Sequence, residues 1–324
     1  MHVVILLLAV LGAWGTRIYC VQAIERSRNT SGLWSERWSW AIGAIIVPAF
    51  WLMIAVLAVG TMGAHGTMFG YRVSAIGAWI SGGLTLMLLM LLAKLMLRSW
   101  QIQQELHHYP STTITTPSLN QTITIRAIAS PPWFAGQVGI LKPELTIGRS
   151  LLTHLDPDQL EAIIAHECAH AHYHDTTLFF ILGWLRRWTR WLPRTQEIWQ
   201  ELILLRELRA DRWAAQWVDP LLLAETLLTV ARSAQASSPS SITSESSPDP
   251  IISGIGFHDF TTIESFETRI EALISAESEI VSSSPNFQDS TGYPSKDRIT
   301  LTIDGWLWAI LACFPLLAVP FHHF

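Results

Sequence analysis

His166-Glu167-Cys168-Ala169-His170 opens a ten-residue run that ends His172-Tyr173-His174-Asp175, and its spacing is H-E-x-x-H. Side chains four apart share one face of a helix, so His166 and His170 can aim ring nitrogens at a single cation. Glu167 projects beside that cation, where a carboxylate can take a proton from water. Zinc brings the pKa of a coordinated water to about 7, so the constellation suits metal-assisted hydrolysis of a peptide bond at neutral pH. Taken alone, these five residues also fit a polar stretch on a solvated helix.

The flanking residues place the motif on a helix. Asp156 suits the N-cap, Pro157 the first helical position, and Gln159 completes a capping box. Leu155 and Leu160 stand where a hydrophobic staple packs, and Leu160, Ile163 and Ile164 supply a buried stripe. The helix is expected from about Pro157 to His174. Zinc needs a third protein ligand. Glu207, 37 residues past His170, is the candidate. Asp211 lies four residues further on the same helical face, where it can accept a hydrogen bond from a ligand histidine. Arg206, Arg209 and Arg212 interleave with them, as on a salt-bridged surface face, but E-x-x-x-D one helix after H-E-x-x-H is a joint pattern. His172 and His174 read as neighbours of the site; His174 lies about 80° round the helix from His166.

These segments resemble a known family. Glu161-Ala-Ile-Ile-Ala-His-Glu-Cys-Ala-His170, then Asp175, then Glu207 to Asp211, is similar to the zinc peptidase domain of the BlaR/MecR antirepressors. The related HtpX/CAAX-protease-like membrane metallopeptidases share much of it. The likeness spans roughly 131–218, including Phe134-Ala-Gly-Gln-Val-Gly-Ile-Leu-Lys-Pro-Glu-Leu145, with membrane helices around it in a similar order. It implies that His166, His170 and Glu207 bind Zn2+, that Glu167 is the general base, and that Asp211 supports a ligand histidine. Related peptidases also place an arginine-isoleucine pair, here Arg269-Ile270, behind the active site. The histidine that some of them carry just upstream is missing, so no oxyanion-stabilising side chain is assigned.

The composition is that of a membrane protein. Apolar residues make up 50% and charged residues 15% of the 324, against a usual charged share of about 25%. Mean hydropathy is +0.31. Sixteen tryptophans add to this, since indole favours the membrane–water boundary. A net charge of −5 gives no basic excess to attract nucleic acid. Cys20, Cys168 and Cys313 show no disulfide or metal spacing, and Cys168 reads as a small core residue.

Three stretches, Val3–Ile24, Trp40–Gly63 and Val73–Ala93, reach the ~20 residues a bilayer demands. The first lacks a preceding positive charge and a clear cleavage site, so it reads as a retained anchor. Gly305–Phe321, with Pro315 and Pro320, is a weaker fourth. Arg17, Arg26, Arg28, Arg37, Lys94, Arg98, Lys296 and Arg298 fall on one side of these spans and Arg72 on the other, which orients the peptidase region to the cytoplasm. Past the last span only His322-His323-Phe324 remain. With no sensor domain expected there, an activating signal is expected from a separate sensor or regulator protein or from the membrane.

Gln121–Ala129, Gln137–Leu141 and Glu144–Gly148 read as short strands, whose edge beside the metal helix suits an extended peptide as readily as it suits a purely structural sheet. Leu178–Trp191 interleaves aromatics with Arg186, Arg187 and Arg190. It fits a helix lying in the interface, a shallow hairpin, or a buried amphipathic helix of the soluble fold. The serine- and proline-rich stretches Ser233–Pro250 and Ser282–Ser295 read as linkers around a short helix, Ile263–Ile274.

The expected class is mainly α: an integral membrane protein with a cytoplasmic zincin-like α+β peptidase domain, built from a metal helix pair and a small β-sheet. The expected division is 1–100 for three spans, 101–232 for the peptidase domain, 233–303 for linkers and a short helix, and 304–324 for the fourth span. Its partners would be a protein or peptide substrate and the lipid bilayer, with no nucleic acid. Three roles stay open: cleavage of a regulator in signal transduction, quality control of membrane proteins, and a zinc-stabilised scaffold that does not cut. A site-2-type intramembrane protease fits worse, because Asp158, Glu161, His172, His174 and Asp175 crowd the motif helix.

Overall fold

The computed structural model describes residues 2–29, 34–62, 67–68, 71–72, 75–237, 255–256, 263–282 and 322–323. The fourth candidate span lies outside these residues, as do 238–250 and 283–295 of the linker stretches. Two compact units emerge, 1–94 with 182–205 and 292–324, and 95–181 with 206–291.

The first unit holds the apolar helices. α1 (His2–Asn29) and α2 (Trp34–Met62) pack side by side. A Cβ on Gly12 would stand 3.2 Å from the Trp51 ring, so a larger residue there would push the indole away by a few tenths of an ångström. α3 (Ala75–Leu106) continues well past the apolar stretch, through the polar Gln101–Leu106. By length and composition α1, α2 and α3 are candidate membrane spans. α3 exposes Ile76, Trp79, Leu86, Leu89, Met90 and Leu97, a surface suited to lipid rather than water. The backbones of β1 (Thr67–Met68), β2 (Tyr71–Arg72) and β8 (His322–His323) pair in a small sheet.

Polar ties collect at the positive ends of α1 and α2. Glu201 is buried and takes an ion pair from Arg28 at 2.5 Å and another from Arg37 at 2.6 Å. The Trp34 indole donates to the Leu205 carbonyl at 3.2 Å.

The second unit is α+β. Its sheet has the order β3-β4-β6-β5-β7: β3 (Ser111–Thr116), β4 (Gln121–Ile128), β6 (Glu144–Gly148), β5 (Ala135–Val138) and β7 (Ile255–Gly256). β4 and β6 run parallel; the other neighbours are antiparallel. Gly139, at φ 121°, makes the turn after β5 in a conformation other residues avoid. After α4 (Arg149–His154), α5 (Pro157–His172) lies on the sheet with the completed capping box, the Asp156 amide donating to Gln159 at 3.3 Å. Ile163 and Ile164 are wholly buried against Ile125, Leu145, Ile147 and Leu227. Each such side chain contributes about 1.5–3 kcal/mol. α8 (Pro220–Ser237) and α9 (Ile263–Ser282) close this core.

α6 (Asp175–Trp188) buries Phe179, Phe180, Leu182, Leu185 and Trp188. α7 (Thr195–Ala214) carries Glu207 and Asp211. The molecule is mainly helical, with a small sheet under the motif helix.

Candidate metal centre

α5 ends two residues earlier than the sequence suggests. Tyr173 leaves helical geometry (φ −85°, ψ 0°) and His174 adopts a left-handed φ of 55°. The chain therefore reverses at once into α6. On a continuing helix, Asp175 would lie about 140° round from His170. After the reversal it lies beneath it, and His170 Nδ1 and Asp175 Oδ2 are 2.8 Å apart.

His166, His170 and Glu207 are buried and converge, with one donor atom of each within 4.8 Å of the others. The two Nε2 atoms lie 3.2 Å apart, and the Glu207 carboxylate is 3.3 Å from His166 and 3.7 Å from His170. Asp211 stands 2.8 Å from His166 Nδ1. Arg269, from α9, grips Asp211 through two nitrogens at 2.7 and 2.8 Å and reaches Glu207 at 3.2 Å. Arg206 lies 2.6 Å from the other Glu207 oxygen. Gln137 of β5 donates to the Glu167 carbonyl at 3.1 Å, tying the sheet to the motif helix.

The charges define what this cluster accepts. Burial works against ionising Glu207, but Arg206, Arg269 and the histidines hold it well below the usual carboxylate range. Burial is likewise outweighed at Asp211 by Arg269 and at Asp175 by His170 and Arg209, and both stay low. Three buried carboxylates thus face three guanidinium groups. Glu167 stands outside that balance. Burial raises its pKa, and neither of its oxygens has a hydrogen-bond partner among the described residues. The Cys168 thiol is pushed up to about 12 by burial, which makes it a poor nucleophile.

This donor set fits a divalent cation. With both Nδ1 atoms facing carboxylates, each ring keeps its proton there, and the two Nε2 lone pairs point at one another and at a carboxylate. Facing acceptors repel unless a positive charge lies between them. Without a metal the protein answers with a proton: burial opposes it, yet Asp211 and Glu207 push the His166 pKa up to about 9. Two neutral imidazoles and one carboxylate form the donor set of a catalytic zinc site.

Asp175, Arg206, Arg209 and Gln137 went unassigned by spacing alone. Asp175 is marked in sequence only by its place in the family likeness, since the left-handed turn that returns it to His170 has no motif. The arginines read equally well as a solvated face. Arg269 was expected behind the site, and its double grip on Asp211 places it there.

Residues 100–204 match the model of Peptidase family M48. The match is a minority of the chain. It includes His166, Glu167 and His170 but stops before Glu207 and Asp211. It supports a peptidase, and the His166/His170/Glu207 group supports a metal-dependent one. No curated protein and no solved structure matches the chain.

Proposed function

We propose that the protein is a multi-pass membrane zinc endopeptidase that cleaves protein substrates at the cytoplasmic membrane face. One observation carries this reading: His166, His170 and Glu207 meet around a common point while the unpartnered carboxyl of Glu167 sits one residue from the first ligand. Zinc bound there would supply a Lewis acid for the scissile carbonyl and an acidified water. Glu167 is the proton carrier. Its raised pKa makes it a stronger base than an exposed carboxylate, so it takes the proton of the attacking water and passes it to the leaving amine. Asp211 keeps the His166 imidazole in the tautomer that leaves Nε2 free to ligate. The three candidate spans and the one-sided arginine and lysine distribution support the membrane setting and the orientation.

The substrate class follows from the setting: a cytoplasmic regulator, as in antirepressor-like signalling, or damaged membrane proteins, as in HtpX-like quality control. The test is a trap. Glu167→Gln protein, crosslinked in its native membrane, should retain zinc and hold proteins that the wild type cuts. One or two trapped regulators indicate signalling, and many membrane proteins indicate quality control. Full biological activity in the Gln variant would replace the enzyme with a scaffold.

A further inference from the structure

The site contains a second carboxylate–arginine pair, matched to the one formed by Asp211 and Arg269, and nothing in the ligand spacing announces it. We propose that Asp175 and Arg209 are positioning residues for the second imidazole, fixing the tautomer and ring orientation of His170. The inference rests on the metal reading of His166, His170 and Glu207.

The geometry is specific. Asp175 is wholly buried and uses both oxygens: Oδ2 lies 2.8 Å from His170 Nδ1, and Oδ1 takes an ion pair from Arg209 Nη2. Arg209 is itself set in place, with its guanidinium carbon 4.1 Å from the centre of the Tyr173 ring. Tyr173 and Asp175 flank His174, so the turn that ends α5 supplies both the carboxylate and the aromatic platform for the arginine that holds it. Arg209 lies between Glu207 and Asp211 on α7. One turn of α7 therefore offers a ligand carboxylate, a partner for the first imidazole, and a clamp on the partner of the second.

An imidazole presents its Nε2 lone pair to a metal only while Nδ1 keeps its proton and the ring is held in plane with its target. A buried carboxylate facing Nδ1 does both. Without Arg209, Asp175 would be a buried carboxylate with less to offset its desolvation. Loss of either member of such a supporting pair typically costs about 10- to 100-fold in metal affinity.

The experiment uses the full chain in lipid nanodiscs, comparing the wild type with Asp175→Asn, Arg209→Met and Arg209→Lys. Zinc affinity is read by competition with a chromophoric chelator, coordination geometry by the visible spectrum of the cobalt(II)-loaded protein, and fold by the unfolding midpoint of the metal-free form. Asp175→Asn and Arg209→Met should each weaken zinc binding about 10- to 100-fold and alter the cobalt spectrum, with Arg209→Lys between them and the wild type. Arg209→Met also leaves the buried Asp175 carboxylate less compensated, so its metal-free midpoint should fall, and Arg209→Lys, which keeps the charge without the fork, carries the test if the other two do not fold. Unchanged zinc affinity and cobalt spectrum in Arg209→Met overturn the proposal, as does a lowered metal-free midpoint with affinity intact. A wild-type protein that takes up no zinc overturns both this pair's role and the metallopeptidase reading, whereas a zinc-binding wild type with unaffected variants removes only the former.

Discussion

The two imidazoles use both ring nitrogens, one on a carboxylate and one toward the shared centre, and this sets a pH dependence. In the metal-free protein His166 is raised to about 9. A raised histidine contributes stability that is full below its ordinary value and is lost as pH climbs through about 9. The metal-free protein should therefore lose stability across that window. The same proton must leave when zinc arrives, so apparent zinc affinity should climb from neutral pH to about 9 and then level off. Calorimetry in two buffers of different ionisation enthalpy should find about one proton released per zinc at pH 7; no release would contradict the assignment. Glu207→Ala should abolish zinc uptake, since it removes a ligand and leaves Arg206 and Arg269 facing the site with less opposing charge. Metal analysis of the purified variant checks this.

Among the elements, the motif helix was the most legible. Its cap, its proline and its apolar stripe act locally, so sequence specifies where it begins. Its end was not legible, because the left-handed His174 obeys no propensity that distinguishes it from one more helical residue. β3 was missed for a different reason: Ser-Thr-Thr-Ile-Thr-Thr has β-branched residues but little apolar alternation, and its strand state comes from pairing with β4. The end of α3 was hidden by polarity, since Gln101–Leu106 stays helical after the apolar run ends. The junction of sheet and motif helix makes a prediction of its own. Gln137→Ala should destabilise the protein by about 0.5–1.5 kcal/mol, because the Glu167 carbonyl keeps its helical partner but loses its side-chain donor. The effect should appear in the unfolding midpoint rather than in the stoichiometry of bound zinc.

On the scale of the molecule, hydropathy made the three candidate spans readable, because a bilayer imposes length and composition with few exceptions. Sequence gave the metal triad as two fragments, and only folding joins them. Nor did it announce that β7 pairs antiparallel with β5, Gly136 opposite Gly256 and Gln137 opposite Ile255. β5 carries Gln137, whose side chain bonds the motif helix, and extended peptides attach to sheet strands through backbone bonds. Replacing both Ile255 and Gly256 with proline removes the amide donors of β7. Cleavage of a trapped substrate by the doubly substituted protein should then be faster than by the wild type, and equal rates would mean the pairing is incidental. On the proposed peptidase reading, an arriving polypeptide would find this row of amides and carbonyls already taken by the chain's own backbone, and would have to evict two resident residues before lying down beside the motif helix.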